Sequence, residues 1–299
     1  MGTTTGWLGK AVRGLRSFAY GPDGHRPKIG LALGGGFARG IAHVGVLRTF
    51  EANEIPIDFI AGTSVGALIG SAYASGSPLE VMEREGSSTR FRDFGRWTLS
   101  RMGMASNERL EEFLHRFTKA KYFEDMKIPL AIVATDILSG ESVHFKAGEI
   151  GPALRASCAY PGLFLPVEYE GRVLVDGFLT ETVPAAAVRE MGAEIVISVH
   201  LEPGLLHSKP RNTIEVISRS FSIIQATSTQ AWRGETDVLI EPDVRHILWD
   251  EFVKTPELIA AGEAAAHAAL PKIRKLLAGE IPERRQYRDR RASDGHKGF

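Results

Sequence analysis

The chain of 299 residues is 43% hydrophobic and 24% charged, a composition typical of a globular protein with a sizeable core. Its 36 Lys and Arg residues balance its 36 Asp and Glu residues, so no overall positive charge favours binding to nucleic acid. Its single cysteine, Cys158, excludes an intramolecular disulfide, and no apolar run is long enough to predict a membrane-spanning helix.

The first 27 residues differ in pattern from the rest of the chain. Residues 7–19 place apolar side chains near helical spacing with three basic residues between them, and a turn-rich linker follows. The pattern predicts a short amphipathic helix that either contacts a membrane surface or docks on the protein itself, and two glycines within it favour the second alternative. Because the basic residues also interrupt any signal-peptide core, we expect a cytoplasmic protein, with peripheral membrane contact left open.

A glycine loop follows the first predicted strand. Residues 28–33 read as a buried strand, and Gly34, Gly35 and Gly36 then lead into a helix from residue 41. The loop has three interpretations: a phosphate cradle, a tight turn, or an oxyanion loop whose backbone N–H groups point at a developing negative charge. Its spacing matches neither the dinucleotide-binding motif nor the P-loop, which weakens the first interpretation.

The next strand–loop–helix unit contains a serine between two glycines. Residues 56–61 read as a strand and residues 67–74 as a helix packed by small residues, with Gly62 and Gly66 flanking Ser64 between them. The pentapeptide alone also fits an ordinary turn, but on a strand-to-helix junction it is the pattern of a nucleophile elbow. A serine nucleophile requires an oxyanion loop, which favours that interpretation of the glycine loop. Two such units close in sequence predict a parallel sheet with crossover helices.

The remaining elements are predicted from periodicity and turn residues. We expect helices over residues 78–86, 107–119, 212–231 and 256–278, and strands over residues 128–136, 142–145, 168–169, 172–175, 194–200 and 237–241. The pattern predicts one catalytic domain over residues 28–282. The tail over residues 283–299 is dense in charge and poor in apolar residues, so we expect it to be disordered.

Residues 89–97 interleave arginines with aromatic side chains. Such a segment fits nucleic-acid stacking, a membrane-facing lid, or a surface segment anchored by its aromatic rings. The balanced net charge disfavours the first interpretation. The sequence does not distinguish a membrane-facing lid from an anchored surface segment.

A serine nucleophile needs a general base, and two kinds of residue are available. Histidine oriented by a carboxylate is the common solution, but among the histidines after Ser64 only His200, at the end of a predicted strand, is a candidate, and a surface or structural role fits it better. Asp176 is the other candidate, because it ends a predicted strand and precedes Gly177, at a position from which a carboxylate can reach a serine at another strand end. A carboxylate is a weak base for a hydroxyl, so this alternative requires a desolvated site.

Four blocks of sequence now stand in a fixed order: residues 34–40, residues 62–66, Ala156-Ser157 leading to Pro161, and Asp176-Gly177. Over roughly residues 28–200 their order and spacing resemble those of the bacterial branch of the patatin-like phospholipase family. The resemblance implies a three-layer α/β/α sandwich with a mostly parallel central sheet. It also implies calcium-independent hydrolysis of acyl esters in phospholipids, lysophospholipids or neutral lipids.

The resemblance assigns roles to individual residues. It implies a catalytic dyad without histidine, in which Ser64 is the nucleophile and Asp176 the base. The residues implied for the oxyanion site and substrate binding are Gly34, Gly35, Gly36, Arg39 and Val65. It implies neither a cofactor nor a metal ion.

The chain departs from the family pattern beside these residues. The glycine loop carries one residue more before Arg39 than the shortest family form, Phe178 stands where glycine or alanine is usual, and Thr182 stands where asparagine is usual. An acyltransferase on the same fold and a catalytically silent lipid-binding module are therefore kept as alternatives. We expect a lipid or ester substrate and no nucleic acid, with a homodimer and membrane contact through 7–19 or 89–97 left open.

Overall fold

The computed structural model describes residues 25–118, 120–202, 209–210, 212–227 and 231–279. The amphipathic segment predicted at 7–19 and the tail predicted at 283–299 lie outside the described residues. Within the described residues, no helix is both long and apolar enough to cross a lipid bilayer.

The secondary structure alternates strands and helices along most of the chain. The strands of the described residues are β1 (Ile29–Leu33), β2 (Phe59–Thr63), β3 (Arg96–Trp97), β4 (Gly103–Ser106), β5 (Leu130–Asp136), β6 (Ser142–Phe145), β7 (Gly162–Phe164), β8 (Val167–Tyr169), β9 (Arg172–Asp176), β10 (Ile195–Val199) and β11 (Val238–Ile240). The α-helices of the same residues are α1 (Ala42–Ala52), α2 (Val65–Ala74), α3 (Leu79–Ser88), α4 (Phe91–Phe94), α5 (Arg109–Leu114), α6 (Ile150–Ser157), α7 (Ala185–Glu190), α8 (Thr213–Thr227), α9 (Trp232–Glu235) and α10 (Thr255–Leu277).

Eight strands form the central sheet, in the order β11–β10–β1–β2–β5–β9–β8 with β6 paired to β5. The run from β11 to β5 is parallel, whereas β6, β8 and β9 join antiparallel. β1 lies at the centre of the parallel run and is buried along its whole length. Its continuous apolar sequence is typical of a parallel strand covered on both faces.

Helices cover both faces of this sheet. On one face Leu31 and Ile60 pack in a large core with residues of α1, α2 and α10. On the other face Ala32 and Ala61 pack in a smaller core with residues of α7 and α9. The predicted three-layer α/β/α sandwich with a mostly parallel central sheet is confirmed.

A second, three-stranded sheet was not predicted. β3 and β4 form an antiparallel hairpin, and β4 pairs in parallel with β7. Strands of two to four residues are too short to show an alternating pattern, which is why the sequence does not reveal them. In this region Phe91 and Phe94 pack against a core that contains Phe164, so the 89–97 segment is anchored by its phenylalanine rings, while Trp97 is exposed.

Two helices are shorter than the sequence predicts. The helix expected over 107–119 ends at Leu114, because the N–H groups of Arg116 and Phe117 bond to the carbonyls three residues before them and close tighter turns. The helix expected over 212–231 is observed over Thr213–Thr227, and residues 228–230 lie outside the described residues.

Candidate active site

Ser64 lies in the sharp turn between β2 and α2. Its backbone has φ 56° and ψ −124°, a region that residues other than glycine rarely adopt. Packing enforces this conformation: a Cβ atom on Gly62 would collide with the backbone of Ala67, and one on Gly66 with the carbonyl oxygen of Leu33. The two flanking glycines therefore allow the tight turn that displays the serine at the end of its strand.

Ser64 and Asp176 meet because β2 and β9 end at adjacent positions along β5. Thr63, the last residue of β2, lies opposite Val133, and Asp176, the last residue of β9, lies opposite Ala134. β6 occupies the other side of β5, so β2 and β9 follow one another on the same side. As a result the Ser64 hydroxyl donates a hydrogen bond of 2.7 Å to Asp176 Oδ2.

The carboxyl group of Asp176 is almost completely buried. Its second oxygen, Oδ1, accepts a hydrogen bond of 3.1 Å from the Phe178 N–H. Burial raises the pKa of Asp176 to about 7, and the hydrogen bonds from Ser64 and Phe178 offset only part of that rise. The desolvated environment that an aspartate base requires is therefore present, and at neutral pH a large share of the group is ionised.

The glycine loop lies against Ser64, since a Cβ atom on Gly35 would touch the Ser64 Cβ at 3.4 Å. Gly34 donates its N–H to the Val199 carbonyl at 3.0 Å, which continues the pairing of β1 with β10. Gly35 donates to the Thr182 carbonyl through a longer bond of 3.3 Å. The Gly34 N–H is thus engaged in the sheet, and the Gly35 N–H is held only weakly.

Two other backbone donors flank the serine. Among the described residues, the N–H groups of Gly36 and Val65 have no hydrogen-bond acceptor. Val65 is the first residue of α2, where backbone N–H groups lack partners inside the helix and the helix dipole is positive. The pair can bind a negatively charged oxygen that forms next to Ser64.

Two residues to which the sequence assigns no individual role hold this arrangement in place. The fully buried His43 donates its Nε2–H to the Gly34 carbonyl at 2.8 Å, and burial lowers its pKa to about 4, so the ring is neutral. The hydroxyl of Ser157 accepts a hydrogen bond of 2.8 Å from the Ser64 N–H. Ser157 stands in one of the four sequence blocks, whereas no pattern marked His43 beyond its place one turn into the helix after the glycine loop.

Arg39 extends along the glycine loop. Its Nε donates to the Gly36 carbonyl and its Nη1 to the Glu202 carbonyl, both at 3.4 Å. Burial lowers its pKa to about 10, which leaves the guanidinium charged at neutral pH. Among the described residues no carboxylate forms an ion pair with it. Arg39 therefore supports the loop and leaves a positive charge facing the cavity beside it.

Two cavities meet at Ser64. The first is lined mainly by apolar side chains, including those of Phe37, Leu68, Ile69, Met82, Phe113 and Phe164. The second is bordered by Asp176 and by more polar groups, including those of Arg39, Tyr160, Thr182, Ser218 and Gln225. The serine thus has an apolar space on one side and a polar space on the other.

The histidine considered from the sequence lies elsewhere. His200 follows β10, bonds through Nδ1 to Glu241 at 3.2 Å and packs against the ring of Trp232. In the part of the chain that the structure describes, no histidine hydrogen bonds to Ser64, and no group of three His, Cys, Asp or Glu side chains is placed to hold a metal ion. The partner of the serine hydroxyl is the carboxylate of Asp176.

The family model of the patatin-like phospholipases matches residues 31–189, which span the glycine loop, Ser64 and Asp176. The chain belongs to the patatin-like phospholipase family.

Relatives differ in length from this patatin-like chain. An uncharacterised NTE family protein of Mycobacterium tuberculosis is 34% identical over 209 residues, which cover 68% of this chain and 57% of that protein. The lysophospholipase NTE1 of Mycosarcoma maydis is 34% identical over 238 residues, which cover 77% of this chain and 12% of that protein. The crystal structure of VipD from Legionella pneumophila matches with 12% identity and a TM-score of 0.46, over 84% of this chain and 67% of that one. The chain therefore matches just over half of its mycobacterial relative and about an eighth of its fungal relative.

Phe178 departs from the pattern usual in patatin-like proteins, and the structure shows what it touches. Its ring stacks on Tyr160 at a centroid distance of 5.0 Å and meets Phe221 edge-on at 5.1 Å. Its hydrogen bond to the Asp176 carboxylate comes from the backbone N–H and does not depend on the side chain. The substitution therefore reshapes the wall of the polar cavity and leaves the hydrogen bonds of the carboxylate intact.

Proposed function

We propose that this chain is a serine acyl hydrolase that cleaves acyl ester bonds of phospholipids, lysophospholipids or related lipid esters and releases fatty acid. The observation that carries the proposal is the 2.7 Å hydrogen bond from the strained Ser64 to the buried Asp176 carboxylate. Membership of the patatin-like phospholipase family and the lysophospholipase name of the relative in Mycosarcoma maydis support a lipid ester as the substrate.

The reaction begins when ionised Asp176 takes the hydroxyl proton as Ser64 Oγ attacks the ester carbonyl carbon. The N–H groups of Gly36 and Val65 bind the resulting oxyanion, and the weakly held Gly35 N–H lies beside them. The tetrahedral intermediate expels the alcohol, which receives the proton from Asp176. A water molecule, deprotonated in turn by Asp176, then attacks the acyl-enzyme and releases the fatty acid.

The two cavities orient the substrate across the serine. The apolar cavity holds the acyl chain, because transfer of methylene groups out of water stabilises the complex. The polar cavity receives the alcohol with its head group, and Arg39 faces that group while it orders the glycine loop through the Gly36 carbonyl. The charge of Arg39 favours an alcohol that carries a negative group.

A fluorophosphonate probe followed by mass spectrometry tests the nucleophile. We expect one covalent label on Ser64, no label in Ser64→Ala, and normal labelling in Ser71→Ala, which removes a buried serine hydroxyl from the helix that follows Ser64. The substrate is tested with a lipid extract, using Ser64→Ala as the blank and released fatty acids and lysolipids as the readout.

Three results would contradict the proposal. An unlabelled Ser64, or equal fatty acid release by the parent and Ser64→Ala, removes the nucleophile. Transfer of the acyl group to an added alcohol in preference to water indicates the acyltransferase alternative. Lipid binding without any labelling indicates the silent binding module.

A further inference from the structure

The β3–β4 hairpin, residues 96–106, exposes apolar side chains at an unusual density. Four of the twelve large hydrophobic side chains that are exposed in the described part of the chain lie in it: Trp97, Leu99, Met102 and Met104. Leu99 is fully exposed at the tip, and 63% of the Trp97 surface is accessible. Clustered apolar side chains on a protein surface mark an interaction site, whereas scattered ones do not.

Arginines surround these apolar side chains. Residues 90–104 contain four arginines and one acidic residue, Asp93. The Asp93 carboxylate has partners of its own: it accepts the Arg90 N–H and lies 3.5 Å from Arg116. Arg92 and Arg101 are exposed and have no carboxylate partner among the described residues. Arg96 lies 3.5 Å from Glu108, so the unpaired positive charges beside the apolar tip are Arg101 of the hairpin and Arg92 of the adjoining α4.

The hairpin is fixed to the wall of the apolar cavity. Phe91 stacks on Trp97 at 4.7 Å and on Phe164 at 5.9 Å. Phe164 belongs to β7, which pairs with β4, and its ring lines the cavity beside Ser64. Two ring contacts thus connect the exposed indole to the cavity in which the acyl chain is proposed to bind.

We propose that the 96–106 hairpin docks the protein on lipid bilayers that carry anionic head groups. Trp97 and Leu99 enter the interface, where an indole ring is at its most favourable depth, and Arg92 and Arg101 bind the lipid phosphates. A second copy of the chain fits this surface poorly, because a two-fold contact would bring the unpaired arginines of both copies together. The inference extends the proposed function, since it places the apolar cavity next to the membrane.

Vesicle sedimentation tests the docking without any turnover. The full chain in a Ser64→Ala background is incubated with phosphatidylcholine vesicles and with vesicles that also contain phosphatidylglycerol. We expect tighter binding to the anionic vesicles that weakens as salt is added. Leu99→Asp should lower the partition coefficient about tenfold, and loss of each charge in Arg92→Gln and Arg101→Gln should lower it about fivefold on anionic vesicles alone.

Tyr122→Asp is the matched control. Like Leu99, Tyr122 is exposed. It forms a β-bridge with Glu149, which precedes α6, whereas Ser157 at the other end of α6 contacts Ser64. Tyr122 therefore lies away from the serine. The Tyr122→Asp variant should bind vesicles as the parent does. With Ser64 intact, Leu99→Asp should hydrolyse a water-soluble short-chain ester at the parental rate and melt at the parental temperature, which shows that the fold and the dyad are unaffected.

Equal vesicle binding by Leu99→Asp and its parent overturns the proposal, whichever other segment then holds the protein on the vesicle. Equal binding to neutral and anionic vesicles overturns the role of the arginines. A change in oligomeric state in Leu99→Asp, without a change in vesicle binding, assigns the hairpin to a contact between copies. If the binding results agree and no ester is cleaved, the hydrolase proposal fails and the docking proposal stands.

Discussion

Burial of the Asp176 carboxylate has two opposing effects, one on its basicity and one on the stability of the fold. Burial makes its carboxylate a stronger base towards Ser64, because the ionised form has lost its hydration. The same burial means that the ionised form is costly to keep inside the folded protein. Two hydrogen bonds, from the Ser64 hydroxyl and the Phe178 N–H, offset part of this cost and no more.

The pH dependence of activity follows from the base. Asp176 has a pKa of about 7 and is proposed to act in its ionised form, so kcat/KM on a water-soluble ester should rise tenfold per pH unit up to pH 7 and level off above it. Initial rates between pH 5 and 9 measure this. A profile that is flat from pH 5 to 9, or that falls as the pH rises through 7, would argue against Asp176 as the base.

The same group predicts a pH-dependent change in stability. The folded-state pKa of about 7 lies above the ordinary value of 3.8, so the stability that Asp176 contributes is present below pH 3.8 and is lost as the pH rises to 7. This loss amounts to about 4 kcal/mol if the whole shift is expressed. Asp176→Asn should therefore be inactive and should gain stability over the parent as the pH rises.

Thermal or urea unfolding at pH 4.5 and pH 8 measures that gain. Asp58→Asn is the comparison variant. Asp58 is also largely shielded from solvent, but its carboxylate forms an ion pair with Arg26 and accepts the Ile29 N–H, so its charge is compensated. This variant should lose stability at pH 8. An Asp176→Asn variant that is less stable than the parent at pH 8 would show that the carboxylate is not strained by burial.

At the scale of elements, the active site depends on how closely β1, β2 and α2 approach one another. Gly66, in the first turn of α2, lies against the carbonyl oxygen of Leu33 at the end of β1. Neither group can move away, since one belongs to a helix and the other to a buried strand. The elbow therefore needs glycine for the approach of two backbones as well as for the turn itself.

Gly66→Ala should destabilise the protein by about 3 kcal/mol and abolish labelling of Ser64, because the new methyl group forces α2 away from β1. Gly234→Ala is the matched control: this glycine is also helical, and nothing lies within 4 Å of the place its Cβ would take. The control should be as stable as the parent or gain about 0.5–1 kcal/mol. Chemical denaturation compares the two, and equal stabilities would contradict the packing argument.

At the scale of the whole molecule, the two cavities predict the direction in which the proposed substrate binds. The apolar cavity is lined in part by residues of the large core that packs against α1 and α2. The polar cavity lies where Phe221 of α8 packs against the rings of Phe178 and Tyr160. An acyl ester bound across Ser64 has one end in each space. Under the proposed function we expect side chains of the apolar cavity to set the chain-length preference, and those near Arg39 to set the head-group preference.

Ile69→Phe, which adds volume to the wall of the apolar cavity, should lower kcat/KM for long-chain esters about tenfold and leave short-chain esters unchanged. Leu239→Phe adds a ring on the other face of the sheet and should alter neither. A series of esters of increasing chain length measures the effect. An equal loss on all chain lengths would place the acyl chain elsewhere.

Local patterns made much of this architecture predictable. The elbow at 62–66, the glycine loop and the buried strands depend on residues a few positions apart, whose spacing is visible in the sequence. The short β3, β4 and β7 were missed because two to four residues carry no periodicity. His43 was missed because its role is a hydrogen bond to the carbonyl of Gly34, nine positions earlier, and only the folded glycine loop places that carbonyl next to the ring.

The sequence by itself determined the strand-to-helix turn that displays Ser64 and, through the order of four motifs, the family. Only the tertiary structure decided which residue meets the serine, because Asp176 is 112 positions away and reaches it through adjacent positions along β5. Burial of the carboxylate, engagement of the Gly34 N–H in the sheet and the cavities on either side of the serine were likewise decided by packing. The desolvation of a carboxylate and the pairing of backbone N–H groups depend on which residues are neighbours in space, and the order of residues along the chain does not reveal this.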